Sequence, residues 1–431
     1  MVELKSIINI ISIISIITLL TLSLSTGLIS CKRTPDDLSE KAIAVAHEQT
    51  GKAETEVFNE IPVYAKCMDY DNNLSSIASG IEFIPIDAEP PIRDFHVYDV
   101  SAGRNCLFLS DIYQIIQYDR HGKYIKHIGS RGMGPAEFVQ LGIAPQIDYE
   151  RELIYALDVE RRRILTYRFD GSFAEAVSLY SHASYIDMID STRIACRQIW
   201  TDRYKPSCEL IRFIDYNGKL AKTYNSHRYP VAREDMENFG PESFLWKHEG
   251  NNYYLEYGSD TIFQIRKDTI VPLWKLTGEL KPDLMEHFQK NTGKKLTITG
   301  YVMRPNAAIF ESGRFIIFKI SANHETYYKT FDKQARRFQR TYYKDAQENR
   351  SGVRKMDFFI DDLISGLPFN PQYQNEGKAF ALIPSEEICE QKTSILAFIN
   401  SHPSNEGAKL KQIVENMTED DNALLMIATF K

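Results

Sequence analysis

Short runs of alternating apolar and polar residues, separated by tight turns, recur along most of the chain. One unit extends from Ile115 to Ile125 through a turn that contains Gly122, and similar units contain Gly171 and Gly218. These glycines are 49 and 47 residues apart. A degenerate fourth copy covers residues 327–338, and residues 252–265 form a related unit. Because alternation with period two is typical of strands, the pattern predicts a repeated strand-turn-strand unit.

A repeat in the high forties that is filled with short strands is typical of one blade of a β-propeller. A four-stranded sheet that is apolar on both faces cannot fold alone, and packing blade on blade buries both faces. The repeats run from about residue 81 to about residue 384. We predict an all-β, six-bladed β-propeller with four-stranded antiparallel blades, a short inserted helix at 281–290 and a small C-terminal helix-strand extension. A pair of β-sandwiches is the alternative, although it would not produce copies at nearly equal spacing.

One stretch carries a family resemblance. Residues 118–138 read YDRHGKYIKHIGSRGMGPAEF and closely resemble the glycine-rich segment of NHL-like propellers. More narrowly, the chain resembles the six-bladed β-propeller lipoproteins of Gram-negative gut bacteria. Residues 81–86 resemble the opening strand of that family and residues 419–431 its closing strand, with Ala136 and Ala423 departing from the usual Gly and Pro. The resemblance implies a propeller in the cell envelope, and it supplies no catalytic residues.

The N-terminus carries an export signal. Residues 6–30 are uncharged, and Leu28-Ile29-Ser30-Cys31 resembles the bacterial lipobox, so Cys31 is the predicted lipidation site. An uncleaved anchor helix with a chance cysteine is the alternative. We predict a lipoprotein signal peptide at 1–30, a polar tether at 31–56, the propeller at 57–395 and a C-terminal extension at 396–431. Because Lys32 rather than Asp follows the cysteine, an outer-membrane lipoprotein is favoured, on the periplasmic side or the cell surface.

The amino-acid composition excludes several classes of protein and one class of partner. The 431 residues are 43% hydrophobic, 25% charged and 12% aromatic, which excludes a disordered, collagen-like or multi-span membrane protein. The formal charge of -7 argues against nucleic acid as a partner, because phosphate binding needs a basic face.

No constellation of residues predicts catalysis. Gly129, Gly132 and Gly134 do not have the order of a dinucleotide fingerprint, and Pro135 follows where a helix would be needed. The ten histidines are scattered and include no metal-binding pair. The acidic run 357–362 and the basic run 161–163 fit solvated turns and edges. We therefore predict no catalytic residue, metal ligand or cofactor.

The cysteines do not form a disulfide framework. With Cys31 assigned to lipid, an odd number remains: Cys67, Cys106, Cys196, Cys208 and Cys389. A hairpin centred near Asp202 would place Cys196 opposite Cys208, so these two are a candidate disulfide.

These observations favour a ligand-binding or protein-interaction scaffold whose partner is a glycan, a peptide or another envelope protein. We expect any ligand at a loop face or at the mouth of the axial channel, because irregular segments on a rigid scaffold carry binding residues. The aromatic and polar segments 200–204, 226–246 and 370–375 are the candidates. The alternative is a metal-dependent propeller hydrolase or lyase that acts on a glycan or peptide. A purely structural interaction module is a third interpretation.

Overall fold

The computed structural model describes residues 59–63, 73–92, 99–103, 105–142, 144–180, 182–197, 209–225, 243–256, 259–278, 302–303, 309–322, 325–341, 359–375 and 377–431. In chain order the first strands are β1 (Asn59–Ile61), β2 (Ala78–Pro85), β3 (Asp99–Ala102), β4 (Cys106–Ser110), β5 (Ile115–Asp119), β6 (Tyr124–His127), β7 (Gln146–Asp148), β8 (Leu153–Asp158), β9 (Arg163–Arg168), β10 (Phe173–Ser178), β11 (Tyr185–Asp190), β12 (Arg193–Arg197), β13 (Glu209–Ile214) and β14 (Leu220–Asn225). They are followed by β15 (Ser243–His248), β16 (Asn251–Glu256), β17 (Thr261–Arg266), β18 (Thr269–Leu276), β19 (Val302–Met303), β20 (Ile309–Glu311), β21 (Phe315–Ala322), β22 (Glu325–Asp332), β23 (Arg337–Thr341), β24 (Phe359–Ile360), β25 (Pro368–Phe369), β26 (Tyr373–Asn375), β27 (Lys378–Ile383), helices α1 (Ser385–Ser401) and α2 (Asn405–Asn416), and β28 (Leu424–Phe430).

The strands form six antiparallel blades, which confirms the predicted propeller. Blades 1 to 4 are β3–β6, β7–β10, β11–β14 and β15–β18, each running from the innermost to the outermost strand. In blade 5 the innermost position is shared by β19 and β20, which both pair with β21, and β22 and β23 follow. Blade 6 is β26, β27, β28 and β2. Two additions lie outside this scheme: β1 extends blade 4 in parallel with β18, and β24 pairs with β25.

The core lies between the blades. Buried apolar residues of the described chain form six clusters, and each cluster joins two successive blades around the ring. A sheet with both faces covered explains why its strands carry apolar residues on both sides. Representative pairs, from the blade 1–2 interface round to blade 6–1, are Phe108 with Ile154, Tyr155 with Ile194, Phe213 with Tyr254, Leu255 with Phe331, Phe315 with Ala381, and Phe380 with Leu107.

The ring closes through a strand from the N-terminal side. β2 pairs antiparallel with β28, from Ala78 opposite Phe430 to Pro85 opposite Leu424, so blade 6 combines one early strand with the C-terminal strands. Helices α1 and α2 lie between β27 and β28 in the sequence. α2 begins after Ser404, whose hydroxyl accepts a hydrogen bond from the Gly407 amide at 2.9 Å. The boundary expected after residue 395 falls within α1, and β28 shares a sheet with β27. The helix predicted at 281–290 lies outside the described residues.

The repeated turns have a local cause. In blade 1 the Asp119 carboxylate accepts hydrogen bonds from the His121 and Lys123 amides, and Gly122 has φ +84°. Blade 3 repeats the arrangement with Asp215 and Gly218, at φ +81°. Glycine adopts positive φ at little cost, and aspartate satisfies turn amides, so this pair of residues specifies the hairpin between third and fourth strands.

Candidate functional site

The two ends of the blades carry connections of different length. At one end short turns join first to second and third to fourth strands, for example residues 120–123 between β5 and β6 and residues 191–192 between β11 and β12. The opposite end, which we call the loop face, carries the second-to-third turns and the connections between blades. These include residues 128–142 between blades 1 and 2, and residues 384–423 between β27 and β28, which contain both helices. Because loops on a rigid scaffold carry binding residues, the loop face is the candidate site.

The connection from blade 1 to blade 2 contains a compact, closed loop, residues 129–138, which we call the glycine loop. The Phe138 amide donates to the Ser130 carbonyl at 3.0 Å, and the Gly132 amide donates to the Phe138 carbonyl at 2.9 Å. The Glu137 carboxylate accepts from the Gly134 amide at 2.7 Å. Phe138 itself is buried in the core between the two blades. The loop therefore pairs with itself and is anchored by an aromatic side chain.

Two side chains of β9 in blade 2 hold the glycine loop in place through hydrogen bonds to its carbonyls, and we call this contact the clamp. Arg163 donates to the carbonyls of Pro135, at 2.9 Å, and of Glu137, and its Nε lies 3.1 Å from the fully buried Asp158 carboxylate. The Tyr167 hydroxyl donates to the Ala136 carbonyl at 2.8 Å. The solvated edge predicted for residues 161–163 is wrong at Arg163, which is 9% exposed. A run of charged residues in a sequence does not show which of them is buried. Here the carbonyls of the glycine loop, which comes earlier in the sequence, accept the hydrogen bonds that water would otherwise accept from the Arg163 guanidinium.

The clamped loop presents an exposed group of side chains. The Arg131 guanidinium lies 4.7 Å from the centroid of the Tyr113 ring, which comes from the turn between β4 and β5. Met133, two residues further along, is 74% exposed, and Tyr113 is 49% exposed. We call Tyr113, Arg131 and Met133 the Tyr-Arg-Met patch. Sequence reasoning missed it, and the available signal was a large apolar residue between Gly132 and Gly134.

Polar side chains near the axis link the blades to one another. Within the described chain, each blade is joined to the next by at least one side-chain hydrogen bond near its inner strands, so the ring of contacts closes. The six contacts are Ser101 Oγ with Tyr149 OH at 2.8 Å, Met188 N to Gln146 Oε1 at 3.4 Å, Asn252 Nδ2 to Ile189 O at 2.8 Å, Trp246 Nε1 to Glu311 Oε2 at 2.8 Å, Glu311 N to Gln374 Oε1 at 3.1 Å, and Asn375 Nδ2 to Ser101 Oγ at 3.4 Å.

We call these six contacts the axial girdle. They bear on the predicted ligand segment 370–375 and on the alternative of an enzyme that acts at the axis. Gln374 and Asn375 belong to the candidate segment 370–375, and the structure places them on β26 as inter-blade links. An enzyme acting at the axis would need an acidic side chain there. Glu311 is such a side chain, but its carboxylate is paired with Lys333 at 3.0 Å. Hydrogen bonds satisfy the buried Glu311 and the half-buried Gln374 and Asn375, and they hold the inner strands together.

The carboxyl group of Asp99, on the inner strand of blade 1, has a raised pKa. Asp99, at the loop-face end of β3, is enclosed by protein although part of it reaches solvent, and this burial raises its pKa to about 7. The Val100 amide opposes the shift by hydrogen bonding to the carboxylate. Among the described residues, Asp99 included, no group of three or more His, Cys, Asp or Glu side chains could hold a metal ion.

Two acids of the run 357–362, Asp361 and Asp362, lie within the described residues, and they are not solvated as expected. Asp361 is fully buried and accepts hydrogen bonds from the Leu363, Ile364 and Ser365 amides, so it caps the turn between β24 and β25. Asp362 accepts from the Ser75 amide at 2.8 Å. Both carboxylates replace water with amide and hydroxyl donors, which the sequence pattern did not indicate.

Several predicted positions lie outside the described residues: Cys31, Cys208, 200–204 and 226–242. Cys196 is described, and its cross-strand partner is Arg212, four residues beyond Cys208. Burial raises the pKa of the Cys196 thiol to about 12. The disulfide with Cys208 stays a prediction. No helix among the described residues is long and apolar enough to span a membrane.

A family model described as "Domain of unknown function (DUF4934)" matches residues 58–429. The chain belongs to the DUF4934 family. No curated protein matches this DUF4934 chain. Its resemblance to NHL-like propellers and to lipoproteins stays a prediction.

One solved structure shares the fold, and two others match with lower scores. A Bacteroides fragilis protein, named as a candidate exported protein, is 16% identical over 86% of this chain and 99% of its own, with a TM-score of 0.61. A Bacteroides vulgatus member of the DUF4221 family is 11% identical over 82% and 97% of the two chains, with a TM-score of 0.40. The extracellular domain of a candidate one-component system of B. thetaiotaomicron is 8% identical over 61% and 30%, with a TM-score of 0.37.

Proposed function

We propose that this DUF4934 chain is a lipid-anchored propeller of the cell envelope that binds a ligand or partner protein on its loop face. The observation that carries the proposal is the Tyr-Arg-Met patch on the clamped glycine loop. Tyrosine, methionine and arginine are enriched in recognition surfaces. A loop that is already ordered loses little conformational entropy when a partner binds, so its exposed side chains contribute more to affinity.

Two features support the envelope location. The sequence Leu28-Ile29-Ser30-Cys31 supplies a lipidation signal, and the 27 residues between Cys31 and β1 leave room for a tether. The name of the Bacteroides fragilis structure describes a candidate exported protein with the same fold. We infer an outer-membrane lipoprotein, on the periplasmic side or the cell surface.

A hydrolase or lyase acting at the axis is the second candidate function. The observation that favours it is Asp99, because a carboxyl with a pKa near 7 is suited to general acid-base catalysis. The girdle argues against it, since Glu311 and other axial polar groups already bind within the protein. Incubating the purified full-length protein with glycans and peptides, with and without divalent metal, tests this function. Cleavage that Asp99→Asn abolishes would establish it.

Photo-cross-linking in cells tests the binding function. A photoreactive residue at Met133 is expected to produce a specific adduct, whereas the same residue at Leu220 should not. Leu220 is a matched control because it is 55% exposed but lies at the start of β14, on the outer edge of blade 3. Identical adducts from both positions, or none from Met133, would contradict binding at the patch.

A further inference from the structure

The Tyr-Arg-Met patch contains one exposed arginine and adjoins two others. Arg131 belongs to the patch, and the exposed Arg161 and Arg162 lie in the adjoining turn between β8 and β9. Arg161 is held beside the loop by hydrogen bonds from one nitrogen, Nη1, to the Met133 and Gly134 carbonyls at 2.9 and 3.0 Å. Its other guanidinium nitrogens make no hydrogen bond within the described residues, so they can still donate.

Among the described residues, no carboxylate forms an ion pair with Arg131 or Arg161. Asp111 accepts from the Tyr113 and Gln114 amides, and Glu137 accepts from the Gly134 amide. Asp158 is paired with Arg163 in the interior. Glu160 is the exposed acid of the adjoining turn, and no ion pair joins it to the described arginines. The patch therefore combines an apolar tip with guanidinium groups that can bind carboxylates.

The geometry favours a protein segment over a glycan. A sugar stacks on an open aromatic face, but the Arg131 guanidinium already covers one face of Tyr113. Met133, the most exposed side chain of the patch, has a flexible thioether that adapts to apolar side chains of a protein.

We propose that the Tyr-Arg-Met patch binds an acidic segment of another protein, with an apolar side chain against Met133 and Tyr113 and carboxylates on Arg131 and Arg161. This inference rests on the proposed function of the loop face and names the chemistry of the partner. Stacking on Tyr113 fixes the Arg131 guanidinium in place, so binding a carboxylate costs little side-chain entropy. Association should weaken as salt rises, because exposed charges are screened.

Binding of defined polymers to the full-length protein in detergent tests the inference. The probes are a glutamate-tyrosine copolymer, poly-glutamate and polygalacturonate, which is an acidic glycan. We expect the copolymer to bind most tightly, and Arg131→Gln and Met133→Ser each to weaken it by about fivefold to tenfold, as for residues at the centre of an interface. The matched controls are Arg168→Gln and Leu220→Ser, which remove an exposed charge and an exposed apolar group elsewhere and should leave binding unchanged.

Three outcomes would overturn the inference: no binding of the copolymer, equal or tighter binding of polygalacturonate, or equal losses in the control variants. Unchanged thermal unfolding of Arg131→Gln establishes that a loss reflects binding. The proposed function is judged separately by cross-linking at Met133. If an adduct forms there while the copolymer does not bind, the loop face still binds a partner, and only its acidic character is refuted.

Discussion

Replacing Asp99 with Asn is expected to stabilise the protein at alkaline pH. The pKa of Asp99 rises from 3.8 to about 7 in the folded state because burial disfavours the charged form. A shift of about three pKa units corresponds to about 4 kcal/mol at 25 °C. The folded state binds the proton more tightly than the unfolded state, so this carboxyl reduces stability as the pH rises from about 4 to about 7.

Asp99→Asn removes the charge and keeps the size of the side chain. At pH 8 the variant should be more stable than the wild type by up to about 4 kcal/mol, and near pH 4 the two should have nearly equal free energies of unfolding. The value is a maximum, because part of Asp99 reaches solvent and water there reduces the burial cost. Urea unfolding at several pH values between 4 and 8.5 measures the difference. Glu150→Gln, which removes an exposed acid on the next blade, serves as the charge-matched control.

The reasoning is refuted if the difference between Asp99→Asn and the wild type does not change with pH, or if the variant is less stable at pH 8. A similar pH-dependent gain in Glu150→Gln would assign the effect to net charge instead of the buried site.

Three further predictions concern the anchor, the clamp and the turns. Cys31→Ala should move the protein from the membrane fraction to the soluble fraction or leave it unprocessed, and an equally membrane-bound, full-length variant would count against the lipobox. Arg163→Ala should destabilise the protein by about 3–5 kcal/mol, because it leaves the Asp158 carboxylate buried and unpaired; Arg162→Ala, on an exposed neighbour, is the control in the same urea titration. Gly122→Ala should cost more than Gly377→Ala: both glycines have positive φ, but a Cβ at Gly122 would lie 2.0 Å from the Pro85 carbonyl, whereas Gly377 faces open space and carries only the backbone strain of about 1–2 kcal/mol. Equal losses of stability at the two glycines would argue against the close packing of the Gly122 turn on β2.

Local physics explains why the fold could be predicted. The turns at Asp119 and Gly122, and at Asp215 and Gly218, depend on a positive φ and on amide capping within five residues, so they leave a periodic signal in the sequence. Alternating apolar residues then indicate strands, and apolar residues on both faces indicate that each sheet is covered twice. From these rules the six blades could be predicted without knowing any contact between them.

The candidate site depends on contacts that alternation does not encode. Arg163 is buried by the carbonyls of a loop 26 to 29 residues earlier, and Asp362 binds Ser75 from 287 residues away. Tyr113 and Arg131 come from different connections and meet only on the loop face of the folded propeller. Hydrophobic periodicity specifies which residues leave water, but it does not specify which polar groups replace that water for a given charge. The sequence therefore determined the blades and their turns. The tertiary structure decided which charged residues are structural and which stay available to bind a partner, because that choice depends on hydrogen-bond partners that come together only when the blades and their connections pack.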